Sequence, residues 1–438
     1  MKSSHLLKLG GTAILLLGLS FQVWAQNPRL NQYTLGDGLT FTGDKDYTVN
    51  LRGYFQPYYE YKSFTDPAID QGVQRFRMRR LRLRLSGEAA QQKIEYRFQA
   101  DFSGNSETGD EAAGFLFDAW VGYNFNRRIR LIFGQKATPT DNRELWMGSN
   151  TLMLVERSRL TSSFASIREF GLFADATWRI NGGHYLRPYL TLTNGDGVNV
   201  VGNDHGGLKV GGRLDYLPFG LFTYFGQFRQ ADVVRELSPK LVIGGYYNIN
   251  YGMSSRRGRG SGEIIYLNND NEESLPDYAK FGADLMFKYR GITVIAEYAA
   301  SSATVPDDIS QRVRNDGTVS RTFEVDGVQD VENYVKGRLM LGQAFNIQAG
   351  YMFPSRYSID GRFTHIEADQ HSFLNNGTFY NRPNYYTLGL SKYFGKGYGF
   401  KIQASLTYVD AAAGSNDIYS MPMDGDEWIA RVITTFSF

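Results

Sequence analysis

The sequence predicts an all-β protein, specifically a transmembrane antiparallel β-barrel of sixteen strands, and three observations carry that prediction. Segments of about ten residues alternate between apolar and charged side chains, so each has one oily face and one wet face. Aromatic residues stand at the ends of those segments, within a chain that holds 29 Tyr, 30 Phe and 48 Gly but only 12 Pro. Beyond residue 25 there is no run of about 20 apolar residues, which excludes helical spans.

Composition narrows the class further. A length of 438 residues would suit two or three soluble domains, but the alternation overrides that prior. With no Cys there is neither a disulfide framework nor a zinc–thiolate site. The balance of 47 Lys+Arg against 45 Asp+Glu excludes a bulk basic protein that coats nucleic acid, so any functional charge is local.

Taken in order, the chain starts with a basic Lys2 and Lys8, a leucine-rich apolar stretch over 9–21, and Val23-Trp24-Ala25. This pattern predicts a secretory signal peptide over 1–25, followed by a short periplasmic segment over 26–46 and a barrel over 47–438. The strand pattern is plainest in Lys93 to Phe102, where Ile94, Tyr96, Phe98, Ala100 and Phe102 share one face and Lys93, Glu95, Arg97, Gln99 and Asp101 the other. It recurs at 345–353, 400–409 and 278–289. Sixteen such segments are expected: 47–61, 75–87, 93–103, 115–125, 129–136, 169–180, 184–193, 207–217, 240–251, 278–289, 292–301, 331–341, 345–353, 384–394, 400–409 and 428–438. Tight turns at 126–128, 181–183, 290–291, 342–344 and 395–399 alternate with long polar stretches at 137–168, 252–277, 302–330, 354–383 and 410–427. That parity places both termini on the periplasmic side and makes 218–239 a long periplasmic connection. Counting Leu221 to Arg229 as a strand would lead to eighteen. The last segment sets Trp428, Ala430, Val432, Phe436 and the terminal Phe438 on one face, with only Thr434 interrupting, and resembles the closing strand that bacterial outer-membrane barrels present to their insertion machinery.

The chemistry is expected to lie in the second segment, Arg75-Phe-Arg-Met-Arg-Arg-Leu-Arg-Leu-Arg-Leu85. Charge on the lipid face at mid-membrane costs roughly 2–4 kcal/mol per group, so Leu81, Leu83 and Leu85 face lipid and Arg80, Arg82 and Arg84 face the lumen. Arg75, Arg77 and Arg79 alternate in the other frame. A β-bulge at Arg79-Arg80 would point all six inward as a ladder suited to oxyanions. Glu60, Glu88, Glu95 and Asp101 could instead pair the arginines and leave an unselective wall. The third outer loop, from Lys136 to Arg168, contains Leu145, Trp146, Met147, Leu152, Met153, Leu154 and Val155, too apolar for water. Folding inward, it would present Arg143, Arg157 and Arg159; packing against a neighbouring subunit is the alternative. His184 is placed at a turn and His205, His365 and His371 in outer loops, with no neighbouring Ser or Asp to suggest hydrolysis. The acidic runs 194–197, 268–273 and 424–427 read as solvated tips rather than Ca²⁺ sites. The basic stretch Arg256 to Gly262 reads as a mobile anion collector at the mouth.

Three blocks carry a resemblance. They are Arg79-Arg80 with Gly87 and the Asp101-Phe102 strand end; Phe133-Gly-Gln-Lys136 with Pro139; and Glu156-Arg-Ser158 with Arg168-Glu-Phe-Gly171. Together they resemble the phosphate-selective porin O and P family of bacterial outer membranes. The resemblance implies a homotrimer of sixteen-stranded barrels, an inward third loop and arginines that guide anions, with Lys136 near the constriction. The expectation is therefore a passive, anion-preferring outer-membrane channel without catalysis, metal or cofactor. Its solute would be phosphate or another small oxyanion, and its partners outer-membrane lipid and its own copies. A general diffusion porin, or a plugged barrel that binds surface partners, is the alternative.

Overall fold

The computed structural model describes residues 29–438 apart from 31–34, 44–45, 70–71, 105–114, 199–203, 377–381, 396, 413, 416–420 and 422. The expected signal peptide lies outside the described residues. Sixteen antiparallel strands close on themselves. They are β1 Thr48–Phe64, β2 Val73–Ala89, β3 Ile94–Asp101, β4 Leu116–Asn124, β5 Ile129–Ala137, β6 Arg168–Ala176, β7 Tyr185–Thr193 and β8 Lys209–Leu217. The second half has β9 Lys240–Asn250, β10 Asp277–Tyr289, β11 Ile292–Thr304, β12 Gly342–Met352, β13 Tyr357–Ala368, β14 Asn384–Tyr393, β15 Phe400–Asp410 and β16 Glu427–Ser437. Pairing of β16 with β1 seals the wall, and the main-chain N–H of the terminal Phe438 donates to Gly53 O. Leu39–Thr42 adds a short strand beside the short-turn end of β1.

Alternation sets which side faces lipid. Leu81, Leu83 and Leu85 lie exposed on the outside of β2 while Arg80 and Arg82 are buried inside. The two frames of the arginine segment meet at a bulge: Gln56 pairs with Arg80 and Pro57 with Met78, so Arg79 has no residue opposite. Pro57 marks the place for a physical reason, since a residue without an N–H cannot continue the ladder and is accommodated at bulges.

Two strand assignments differ from the sequence reading and cancel in the count. The segment 331–341 is not a barrel strand. Val331–Lys336 is a short helix, α-helical because Val331, Tyr334 and Val335 repeat at helical rather than strand spacing and Asp330 caps it, its carboxylate accepting from Asn333 N. The missing strand is β13, inside what reads as the loop 354–383. There Gly361 and His365 interrupt the outward apolar face, while Tyr357 and Ile359 still face out and Ser358, Asp360 and Thr364 are buried inside. The tight turn expected at 342–344 therefore belongs to β12, and the turn itself is 353–356 with Arg356 at φ 63°. His365 consequently sits on a strand rather than in an outer loop.

Short connections lie on one side of the barrel and long ones on the other. The exception is 218–239, which joins β8 and β9 on the short-turn side and forms a 3₁₀ turn at Thr223–Phe228 instead of a strand. On the long-loop side, 251–276 and 305–341 share a core of Met253, Tyr266, Leu275, Phe323, Val335, Leu339 and Leu341 that caps part of the barrel.

Candidate functional site in the lumen

The third outer loop, 138–167, folds into the barrel. Leu145, Met147, Leu152, Met153, Leu154 and Val155 are each at most 2% exposed. Burying side chains of this size contributes roughly 1.5–3 kcal/mol each relative to leaving them in water, which is why so apolar a loop does not stay outside. The packing partners are the chain's own walls: Met153 meets Met352 and Tyr393, Val155 meets Tyr58 and Ile433, and Met147 meets Val242, Met286 and Ile295.

Polar clamps fix the loop's position. Arg143 donates from Nη2 to Asp215 Oδ1 and from Nε to Asp284 Oδ1, both at 2.8 Å, and Arg213 bonds the same two carboxylates. Glu144 accepts from Ser158 N, Ser158 Oγ and Thr161 Oγ1, while its own N–H donates to Glu297 Oε1 at 2.7 Å. Glu156 spans Arg79 (Nε to Oε1, 2.5 Å) and Arg80 (Nη2 to Oε2, 2.9 Å). Burial pushes the Glu156 carboxyl up, but Arg79 and Arg80 outweigh it and hold it at about 2. Arg157 donates to the carbonyls of Glu144 and Met147, and Arg159 to Ser162 Oγ. The basic loop expected at the mouth also packs here, Arg259 donating to Ala165 O and Ser162 O.

The connection 218–239 meets the loop from the opposite side. Gln230 accepts from Met153 N at 2.8 Å and donates to Glu144 Oε1 at 3.0 Å, and Gln348 donates to Gln230 Oε1. Lys288 caps the carbonyls of Gly226, Arg229 and Ala231.

The ladder arginines divide. Arg75 pairs with Glu60 at 2.6 Å, Arg79 and Arg80 with Glu156, and Arg82 with Asp101 at 2.6 Å. Arg77 stacks over the Tyr58 ring, and Arg84 makes no ion pair among the described residues. Lys136 lies half-buried over the Phe173 ring. Two carboxylates expected to pair the ladder do not: Glu95 serves Arg130, and Glu88 has no ion pair among the described residues.

Two further arginines join Arg84. Arg52 stands directly opposite it on β1, and Arg97 lies on β3, with Asp118 Oδ2 at 4.0 Å and the Trp120 ring centroid at 5.1 Å. Both sit on the polar faces of segments that the sequence marks as strands, but alternation alone does not show that they converge on Arg84. Arg187 on β7 is a similar half-buried cation, over the Tyr189 and Phe228 rings. Among the described residues no group of three or more His, Cys, Asp or Glu is placed to hold a metal ion.

Comparison with known proteins agrees with this architecture. Residues 49–222, from β1 to the start of the 218–239 connection, match the family model described as phosphate-selective porin O and P. Among solved structures, Salmonella typhi OmpF in complex with daunomycin aligns with 91% of this chain and 99% of that chain at 12% identity, with a TM-score of 0.51. An anion-selective porin from Comamonas acidovorans aligns over 90% and 100% at 11% identity, with a TM-score of 0.50. The outer membrane channel DcaP of Acinetobacter baumannii aligns over 91% and 99% at 11% identity, with a TM-score of 0.48. At such identities the likeness to OmpF and to the Comamonas acidovorans porin concerns the fold alone. Among curated proteins no sequence matches.

Proposed function

We propose that this chain is a porin forming a channel in the bacterial outer membrane, that the channel prefers anions, and that small oxyanions, phosphate among them, are its solutes; the match of residues 49–222 to the porin O and P family model supports the reading. One observation carries the reading: the wall from β1 to β7 presents Arg52, Arg77, Arg84, Lys136 and Arg187 to the lumen with no ion pair among the described residues. The inward loop touches β1 and β2 at Tyr58, Arg79 and Arg80, and Phe228 of the 218–239 connection lies against Arg187 on β7, while the recess around Arg52, Arg84 and Arg97 is left for water and solute. Guanidinium groups stay charged at any physiological pH and bond oxyanions bidentately, so a row of them lowers the entry barrier while letting ions pass between sites. Transport in this reading is passive. A homotrimer, a signal peptide over 1–25 and a periplasmic segment over 26–46 complete the proposal.

A second reading has its own support. Arg75, Arg79, Arg80 and Arg82 are all ion-paired, three carboxylates serving the four, and a wall so largely neutralised conducts with little preference. Planar-bilayer current under a KCl gradient, with phosphate then titrated in, separates the two. An anion-side reversal potential with chloride current reduced by phosphate supports the proposal. An unselective current indifferent to phosphate overturns it in favour of a general diffusion porin, and absence of current overturns it in favour of a plugged barrel.

A further inference from the structure

Opposed like charges on neighbouring strands destabilise a sheet unless something lies between them. Arg52 and Arg84 are such a pair, Cα partners across β1 and β2 on the inward face, and Arg97 stands on the next strand. Among the described residues Arg52 reaches only neutral acceptors, Asn50 Oδ1 at 3.3 Å and Asp37 O at 3.2 Å. The nearby Asp118 gives Oδ1 to Arg168 at 2.8 Å and reaches Arg97 with Oδ2 only at 4.0 Å, and Glu95 pairs with Arg130 at 2.6 Å. Three buried donor atoms, Arg84 Nε, Arg97 Nε and Trp120 Nε1, have no acceptor among the described residues. Leaving such donors buried and unmatched costs roughly 1–3 kcal/mol each, more for charged groups, so the arrangement is that of a site awaiting an acceptor.

The side chains that carry these donors line, together with Arg52, Glu88 and Glu95, one recess of about 280 Å³ at the short-turn end of β1 to β4. That volume approaches the lower end of pockets for small organic molecules, roughly 300–1,000 Å³, and exceeds what four oxygens around one phosphorus fill. We propose that the recess binds a small organic acid, its oxyanion held by Arg52, Arg84 and Arg97, with Trp120 donating from Nε1 and forming part of the wall beside the carbon skeleton. The proposal rests on the reading of this wall as the anion path and names the solute class that pauses there.

Isothermal titration calorimetry on the full protein in detergent micelles tests it, with succinate, glycerol 3-phosphate, inorganic phosphate and uncharged succinamide as probes. Saturable binding of succinate or glycerol 3-phosphate is expected, at least tenfold tighter than inorganic phosphate, with none for succinamide. Which of the two organic probes binds tells a carboxylate from a phosphate ester. Arg84→Gln and Arg97→Gln should each weaken binding about tenfold, and Arg97→Lys less, with heat-modifiable gel migration reporting an intact barrel. Equal binding of inorganic phosphate, no organic-acid binding, or unchanged affinity in both glutamine variants would overturn the site. Because binding needs no current, an anion-selective channel that takes up neither organic probe sinks the site alone. A channel that binds them but conducts without preference sinks the path reading alone.

Discussion

Arg84 and Lys401 are both cations pointing into the same barrel, and they differ in what lies above them. Around Arg84, on the β1 to β7 side, the described chain leaves a recess and unmatched donors. Lys401 on β15 is fully buried, and its ammonium donates to Leu152 O at 2.6 Å. Lys280 and Lys288 on β10 are covered in the same way, by Phe164 O and by carbonyls of the 218–239 connection. In the proposed reading a lumen cation is a ligand for solute or a clamp for a loop according to whether an apolar segment covers it. On the covered side the buried ammonium groups are satisfied by main-chain carbonyls and carboxylates, as the cost of isolating a charge from water requires.

The comparison breaks first at the loop itself. Replacing 143–156 by a short Gly/Ser linker should raise single-channel conductance severalfold, because the apolar segment occupies the covered half of the lumen. Unchanged conductance would mean that the loop does not limit the pore. Next in size is Arg143→Ala, which leaves Asp215 and Asp284 sharing Arg213 alone. Breaking a buried ionic network in this way costs about 3–5 kcal/mol, read as a lower temperature of heat-modified migration, with anion preference kept. Gln230→Ala should cost less, about 1–3 kcal/mol, since it leaves Met153 N and one Glu144 oxygen without their partner. Its mark would be noisier current as the loop loosens, and quiet wild-type traces would show that the 218–239 connection does not steady the loop.

The smallest effect sharpens the comparison by its absence. Because Arg79 and Arg80 hold Glu156 at about 2, below the ordinary value near 4.3, its clamp is complete above that ordinary value. It is lost only as pH falls through about 2. Conductance should therefore stay level between pH 7 and 4. A rise between pH 5 and 4 would show that Glu156 titrates freely and that the clamp is weaker than its geometry.

Much of this was legible before any coordinates. Strict alternation with period two made each lipid-facing side chain identifiable, because a one-residue slip would carry every charge into lipid. The same penalty placed the bulge within Arg79-Arg80, and the cost of leaving Leu145 to Val155 in water sent the third loop inward. The sequence misled where two periods compete. Residues 331–341 are apolar enough for a strand yet turn helical at Val331, Tyr334 and Val335, and β13 hides its alternation behind Gly361 and His365.

By itself, then, the sequence determined the closed barrel, the outward faces and the identity of the inward cations, since each follows from the local cost of putting charge in oil. Only the tertiary structure decided which cations stay open to solute. Arg52, Arg84 and Arg97 come from three strands, and their convergence depends on cross-strand register. That Lys280, Lys288 and Lys401 are covered depends on where a loop and a connection more than fifty residues away in the chain come to rest. No local pattern encodes either, because both are sums of contacts between segments distant in sequence.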